Sequence, residues 1–251
     1  MASFSPGTLE RRDPKSGIPS SGPLLFVHIP KTAGTSFRNE LEECFGKKAV
    51  FPGRWYLRRR YRQHYPDIAS FKRDLPGVYP QLRAVTGHYP YALLKLLLPG
   101  VPRSVFLREP IARSISYLEH ARARSPQYRG MSLEVIAGLP AQRPNPQVDN
   151  LQTRLLCSKP HPEGRLASAL GNLQDFEFIG ITECYSASIA LCNYVFDLGL
   201  KGVRHDNAGR RQGSELSREL LAFLAAHNRE DIELYCAARE IFRQMRNRMD
   251  D

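Results

Sequence analysis

The stretch Leu24-Leu25-Phe26-Val27-His28-Ile29-Pro30-Lys31-Thr32-Ala33-Gly34-Thr35-Ser36-Phe37 decides how this chain is read. Its apolar run, bounded by proline, has the pattern of a buried strand. It delivers a lysine, a glycine and three hydroxyls into the start of a helix, where Phe37, Leu41 and Phe45 recur at helical spacing and Gly46 stops the pattern. A strand, a short loop and a helix N-terminus form a device for holding an anion. The first amides of the helix have no partner within it, and a lysine adds a full positive charge. The segment is only a partial match to the triphosphate loop G-x-x-x-x-G-K-[ST], because Lys31 precedes Gly34 and the leading glycine is missing. Taken alone, it is also compatible with an ordinary strand–helix turn carrying a solvated lysine.

A second strand–helix junction lies downstream. Arg103 to Leu107 is an apolar strand that ends in Arg108-Glu109-Pro110, with the proline placed for the first turn of a helix. Arg108 at the strand end and Ser116 about two turns into the helix suit a single phosphate, since a guanidinium fork binds such a group in two directions. The plainer alternative pairs Arg108 with a nearby carboxylate and turns Ser116 towards a neighbouring helix. Further strands are expected at Leu82 to Thr86, before Gly87-His88, and at Phe176 to Ile181. Helices are expected at Met131 to Ala137, Val148 to Cys157 and Ser186 to Leu198, and over Ser214 to Met245 with a break at Asn228. Strands alternating with helices predict an α/β fold: a single domain over residues 24–251, with a central parallel sheet flanked by helices. Residues 1–23, rich in Ser, Pro and Gly, read as a disordered leader.

Composition narrows the partners. The chain of 251 residues carries 36 Lys+Arg against 25 Asp+Glu, a net charge of +11, so the expected partners are anionic. Cys44, Cys157, Cys184, Cys192 and Cys236 are odd in number, widely spaced and without a C-x-x-C, which argues against a zinc site and for a reducing compartment. No metal is expected. No transmembrane stretch or signal peptide is apparent, so a cytoplasmic location is the default expectation.

Two strand–helix junctions, each suited to a phosphate, call for a ligand with two separated phosphate groups. Residues 24–38 and 103–118 together resemble the 5′- and 3′-phosphosulfate-binding motifs of sulfotransferases that use 3′-phosphoadenosine 5′-phosphosulfate (PAPS). The form Val27-His28-Ile29-Pro30-Lys31-Thr32-Ala33-Gly34-Thr35-Ser36 is most similar to the heparan and uronyl 2-O-sulfotransferases and their bacterial relatives.

The resemblance implies that Lys31, Thr32, Ala33, Gly34, Thr35 and Ser36 hold the 5′-phosphosulfate end and that Arg108 and Ser116 take the 3′-phosphate. It implies that a basic loop closes the nucleotide site, here with Asn207, Arg210 and Arg211, although His205 to Arg211 departs from the family's Lys/Thr-rich pattern. It also implies that the Gly87-His88 step supplies the general base, with Lys31 as its catalytic partner. An imidazole titrating near neutrality suits proton removal from a sugar hydroxyl. The implied reaction is sulfuryl transfer from PAPS to a carbohydrate hydroxyl, leaving adenosine 3′,5′-bisphosphate.

The residues leave a P-loop kinase and a basic nucleic-acid-binding module as competing readings. Arg54 to Arg73, with Trp55, Tyr56, Tyr61 and Tyr65 among its arginines, suits nucleic acid, an anionic glycan acceptor or a solvated helix face. Asn150 to Arg154 reads as a polar helix in reach of an acceptor. His28 reads as a packed strand residue, and Glu40, Glu42 and Glu43 as the solvated face of the first helix.

Overall fold

A computed structural model describes residues 22–60, 65–159, 161–202 and 216–250. The anticipated leader falls largely outside these residues, and the basic loop with Asn207, Arg210 and Arg211 falls wholly outside them. In chain order the elements are β1 (Leu24–Val27), α1 (Gly34–Phe45), β2 (Val50–Phe51), α2 (Arg54–Arg59), α3 (Ile68–Val78), β3 (Ala84–Gly87), α4 (Tyr91–Leu97), β4 (Arg103–Leu107) and α5 (Pro110–Arg124). There follow α6 (Leu133–Ala137), α7 (Leu151–Leu156), α8 (Arg165–Asn172), β5 (Phe178–Ile181), α9 (Tyr185–Phe196), α10 (Arg218–Ala226) and α11 (Arg229–Asp250).

The strands form one parallel sheet in the order β2-β3-β1-β4-β5, as the alternation of strands and helices predicts. β1 is its centre and is buried throughout, which explains why its sequence is a continuous apolar run rather than an alternating one. The chain builds the sheet to one side of β1 with β2 and β3, then crosses to the other side with β4 and β5. The C-terminal ends of β3, β1 and β4 therefore lie side by side at the point where the winding reverses. Open α/β sheets form their ligand crevices at such points.

Aromatic packing fixes α1 on the sheet. The ring of Phe37, from the helix, lies 4.7 Å from Phe26 of β1 and 5.1 Å from Phe106 of β4. The Phe26 pair is edge-to-face and the Phe106 pair tilted, and aromatic pairs of this kind add about 0.5–1.5 kcal/mol each beyond their burial. Phe37 thus anchors the first turn of α1 directly above the end of β1.

Beyond β5, the helical C-terminal part breaks at Asn228 as expected. That buried side chain donates to the carbonyls of Val148 and Leu224. No helix among the described residues is long and apolar enough to cross a membrane.

Candidate active site

The segment between β1 and α1 has the shape of an anion cradle. Lys31 and Ala33 adopt left-handed backbone angles, with φ of 71° and 62°, on either side of Thr32. Non-glycine residues seldom hold such angles, and they gather at ligand clamps. Thr32 is buried and donates its hydroxyl proton to the carbonyl of Ile29 at 2.9 Å, closing the loop. The N-cap of α1 is Ala33, which has no side chain able to cap the helix, and the first turn contains no acidic residue. The start of α1 therefore carries no side-chain cap. Thr35 is exposed and Ser36 is buried at the base of the turn. Burial, and next the charge of Arg108, lower the Lys31 pKa, with Glu119 opposing them.

Arg108, at the end of β4, reaches this loop. Its Nη1 donates to the main-chain carbonyl of Lys31 at 3.1 Å. The two junctions are thereby one site. The guanidinium also approaches a carboxylate, with Nε 3.9 Å from Glu183 Oε1.

The main chain of Arg108 is held on both sides by the buried amide of Gln152. Oε1 accepts from the Arg108 N–H at 3.0 Å, and Nε2 donates to its carbonyl at 2.9 Å. Gln152 in turn is set by buried Asp231, whose carboxylate accepts from the amides of Gln152 and Thr153 and from the Thr153 hydroxyl. Gln152 and Thr153 are thus turned into the core, so the segment from Asn150 to Arg154 serves the site from within rather than facing an acceptor.

The start of α5 differs from that of α1. Glu109 caps it, accepting from Ile111 N at 3.0 Å and Ala112 N at 2.6 Å. A second anion here must depend on side chains, which leaves Arg108 and Ser116. Ser116 is half-buried on the helix face that continues one turn on with Glu119 and His120. Glu119 raises the Lys31 pKa against burial, and burial followed by the charge of Lys31 lowers that of His120.

His88, following β3, completes the group. Its Nδ1 lies 2.7 Å from the carbonyl of His28. A carbonyl only accepts, so Nδ1 carries the proton and Nε2 presents a lone pair, the form a general base requires. Burial, the largest influence, lowers its pKa to about 4, against the bond to the His28 carbonyl. His88 is thus neutral at physiological pH but is a weaker base than the near-neutral imidazole expected from sequence.

His28 is buried, as its strand position suggests, but it is no inert packing residue. Its ring lies 4.2 Å from that of His88, and its Nδ1 is 2.9 Å from the hydroxyl of Tyr65. Arg38 Nη1 donates to the same hydroxyl at 3.0 Å. Tyr65 and Arg38 are members of the site that sequence reasoning misses. Tyr65 sits in the basic-aromatic segment, and nothing local ties it to His28.

Two of the three acidic residues of α1 also depart from expectation. Glu40 and Glu42 are buried, and they accept from the main-chain N–H groups of Lys201 and Arg54, while Glu43 is exposed. Glu40 and Glu42 thus hold main-chain groups far along the chain, which local spacing does not reveal.

No protein-family model matches the chain, and no curated protein matches it. Among solved structures, a sulfotransferase from Alicyclobacillus acidocaldarius overlays it with a TM-score of 0.44 and 14% identity, over 84% of this chain and 96% of that one.

Proposed function

We propose that the protein transfers a sulfuryl group from PAPS to a hydroxyl of a carbohydrate acceptor. The observation that carries this reading is the bond from Arg108 Nη1 to the Lys31 carbonyl, which makes one crevice of two anion-holding junctions. The crevice suits a nucleotide with phosphates at both ends. The loop from Pro30 to Ser36 fits the 5′ end, because it opens α1 without a side-chain cap and holds no acidic side chain. Arg108 and Ser116 fit the 3′-phosphate.

PAPS supplies a sulfuryl group whose transfer breaks the bond to the 5′-phosphate oxygen. His88 Nε2 accepts the proton of the acceptor hydroxyl as the new sulfur–oxygen bond forms. Lys31 and the opening amides of α1 hold the charge that gathers on the departing phosphate. Both contributions depend on groups already oriented before reaction, by the His28 carbonyl and by the Phe37 anchor.

An anionic glycan is the acceptor this chain suits best. Arg54, Arg58 and Arg59 are exposed on α2, and Arg59 and Lys48 flank the half-buried Trp55 ring at 5.5 and 5.7 Å.

Thermal-shift titration with adenosine 3′,5′-bisphosphate, ATP and a short oligonucleotide tests the reading against its competitors. Stabilisation by the bisphosphate and not by the other two is expected. A larger response to ATP favours a kinase, and one to the oligonucleotide a nucleic-acid binder.

A further inference from the structure

The sulfotransferase reading leaves the buried His28 side chain without a task. We propose that His28 is an anion-binding residue, whose imidazole, oriented by Tyr65, donates its Nε2–H to the oxyanion held in the loop from Pro30 to Ser36. The role rests on the proposed function, in which that oxyanion is the 5′-phosphosulfate.

The proton positions follow from the partners. A guanidinium only donates, so the Tyr65 oxygen accepts from Arg38. The phenol proton is then available, and among the described residues the acceptor it meets is His28 Nδ1. Burial, with the neighbouring His88 and Arg38, holds His28 neutral, so it has a single N–H. With Nδ1 accepting, that N–H is at Nε2.

The ring edge bearing Nε2 lies on the loop. A Cβ added to Gly34, the first residue of α1, would sit 1.9 Å from His28 Cδ2 and 2.1 Å from Nε2. Gly34 does not need a left-handed backbone here, as the neighbouring Ala33 does. It is glycine because the imidazole occupies the space of its side chain. His28 is 4% exposed, so its ring lies mostly out of water, beside the uncapped start of α1. A neutral donor also suits this position next to Lys31 and Arg108, because it adds a hydrogen bond without adding a third positive charge.

His28 and His88 can be separated experimentally. His88 is held by the main-chain carbonyl of residue 28, so substitution of the His28 side chain leaves that bond in place. The glutamine amide nitrogen reaches about as far as Nε2, and the asparagine amide only as far as Nδ1. His28→Gln therefore keeps a donor at the loop, and His28→Asn does not.

Calorimetric titration of the full chain and both variants, with adenosine 3′,5′-bisphosphate and with adenosine 3′-monophosphate, reads the effect. For His28→Asn we expect roughly 10- to 100-fold weaker binding of the bisphosphate, the range for one hydrogen bond to a charged group. Binding of the 3′-monophosphate, which has no group for the loop, stays unchanged, and His28→Gln stays within about threefold of the parent on both ligands. Equal weakening of both nucleotides by His28→Asn, or unchanged bisphosphate binding, overturns the role. A parent protein that prefers neither nucleotide overturns the nucleotide reading itself, and this role with it.

Nitrogen-15 spectra of the histidines in the parent protein provide a test that needs no ligand and no variant. Nε2 of His28 protonated and Nδ1 bare is expected, and the opposite tautomer refutes the proposal.

Discussion

Arg108 Nη1 donates a 3.1 Å hydrogen bond to the carbonyl of Lys31, joining the end of β4 to the loop after β1. One guanidinium therefore both shapes the anion loop and faces the crevice beside it. Arg108→Ala is predicted to weaken adenosine 3′,5′-bisphosphate binding by roughly 10- to 100-fold, as expected for loss of a charge-assisted bond. Arg108→Lys restores the charge but not the fork, and recovers only part of the loss. Calorimetry showing an unchanged dissociation constant for Arg108→Ala would refute the 3′-phosphate assignment.

Gln152 makes a more stringent case, because it never reaches the crevice. Its amide satisfies both the N–H and the carbonyl of Arg108. Gln152→Leu removes both of these hydrogen bonds and should cost about 1–3 kcal/mol of stability. Because the Arg108 backbone is then released, nucleotide affinity should fall as well. Denaturant midpoints read the first effect and calorimetry the second. A destabilised variant with parental affinity would show that Arg108 is positioned by something else.

The protonation state of His88 sets the pH dependence. Burial brings its pKa to about 4, so the base form persists through the physiological range. Turnover should be flat from about pH 8 to about pH 6 on account of this group and fall only as the pH approaches its folded pKa. An acid limb centred on the ordinary histidine value, about 6.5, would contradict the buried setting. Stability follows the same direction. An unfolded His88 takes up its proton near its ordinary value, so its contribution is complete above about pH 6.5 and is lost as the pH falls through that value towards the folded pKa. His28, also lowered by burial, adds to the same decline. Thermal midpoints measured alongside initial rates separate unfolding from titration.

Gly34→Ala tests the contact between helix and imidazole. The added methyl group collides with the His28 ring, so either the ring or the first turn of α1 must move. Overpacking of this kind costs about 1–3 kcal/mol. Bisphosphate affinity should drop with it, measured by calorimetry below the new melting point. An alanine variant with parental stability and affinity would show that the ring moves aside at no cost.

Much of the fold is legible in the sequence where a segment's neighbours are its own residues. β1, β4 and β5 appear as apolar runs because they are buried on both faces, and Arg103–Leu107 is observed with the expected bounds. Asn228 marks the break between α10 and α11 for a local reason, since it bonds the Leu224 carbonyl one turn earlier. β2 escapes notice because Val50–Phe51 is too short to show a period. α8 escapes because its N-cap, Gly164 at φ 78°, has the character of a turn.

The site divides in the same way. Lys31, Gly34, Arg108 and His88 stand at strand ends, where the α/β pattern itself directs attention. Tyr65, Gln152 and Asp231 act on residues distant in the chain, and the apolar run that His28 follows makes it look like packing alone. The roles of Glu40 and Glu42 are hidden for a related reason. Their partners are main-chain N–H groups, which leave no mark on the sequence.

We propose that the crevice at the ends of β3, β1 and β4 transfers a sulfuryl group with His88 as its base. Incubation with sulfur-35-labelled PAPS and a panel of acidic and neutral glycans, for the parent protein and His88→Ala, tests it most directly. Label on a glycan is expected with the parent protein, and turnover lowered roughly 10²–10⁴-fold in His88→Ala while bisphosphate affinity is retained. Undiminished turnover in His88→Ala would contradict the role of the base. A parent protein that binds the bisphosphate yet labels no hydroxyl in the panel would contradict the transfer itself.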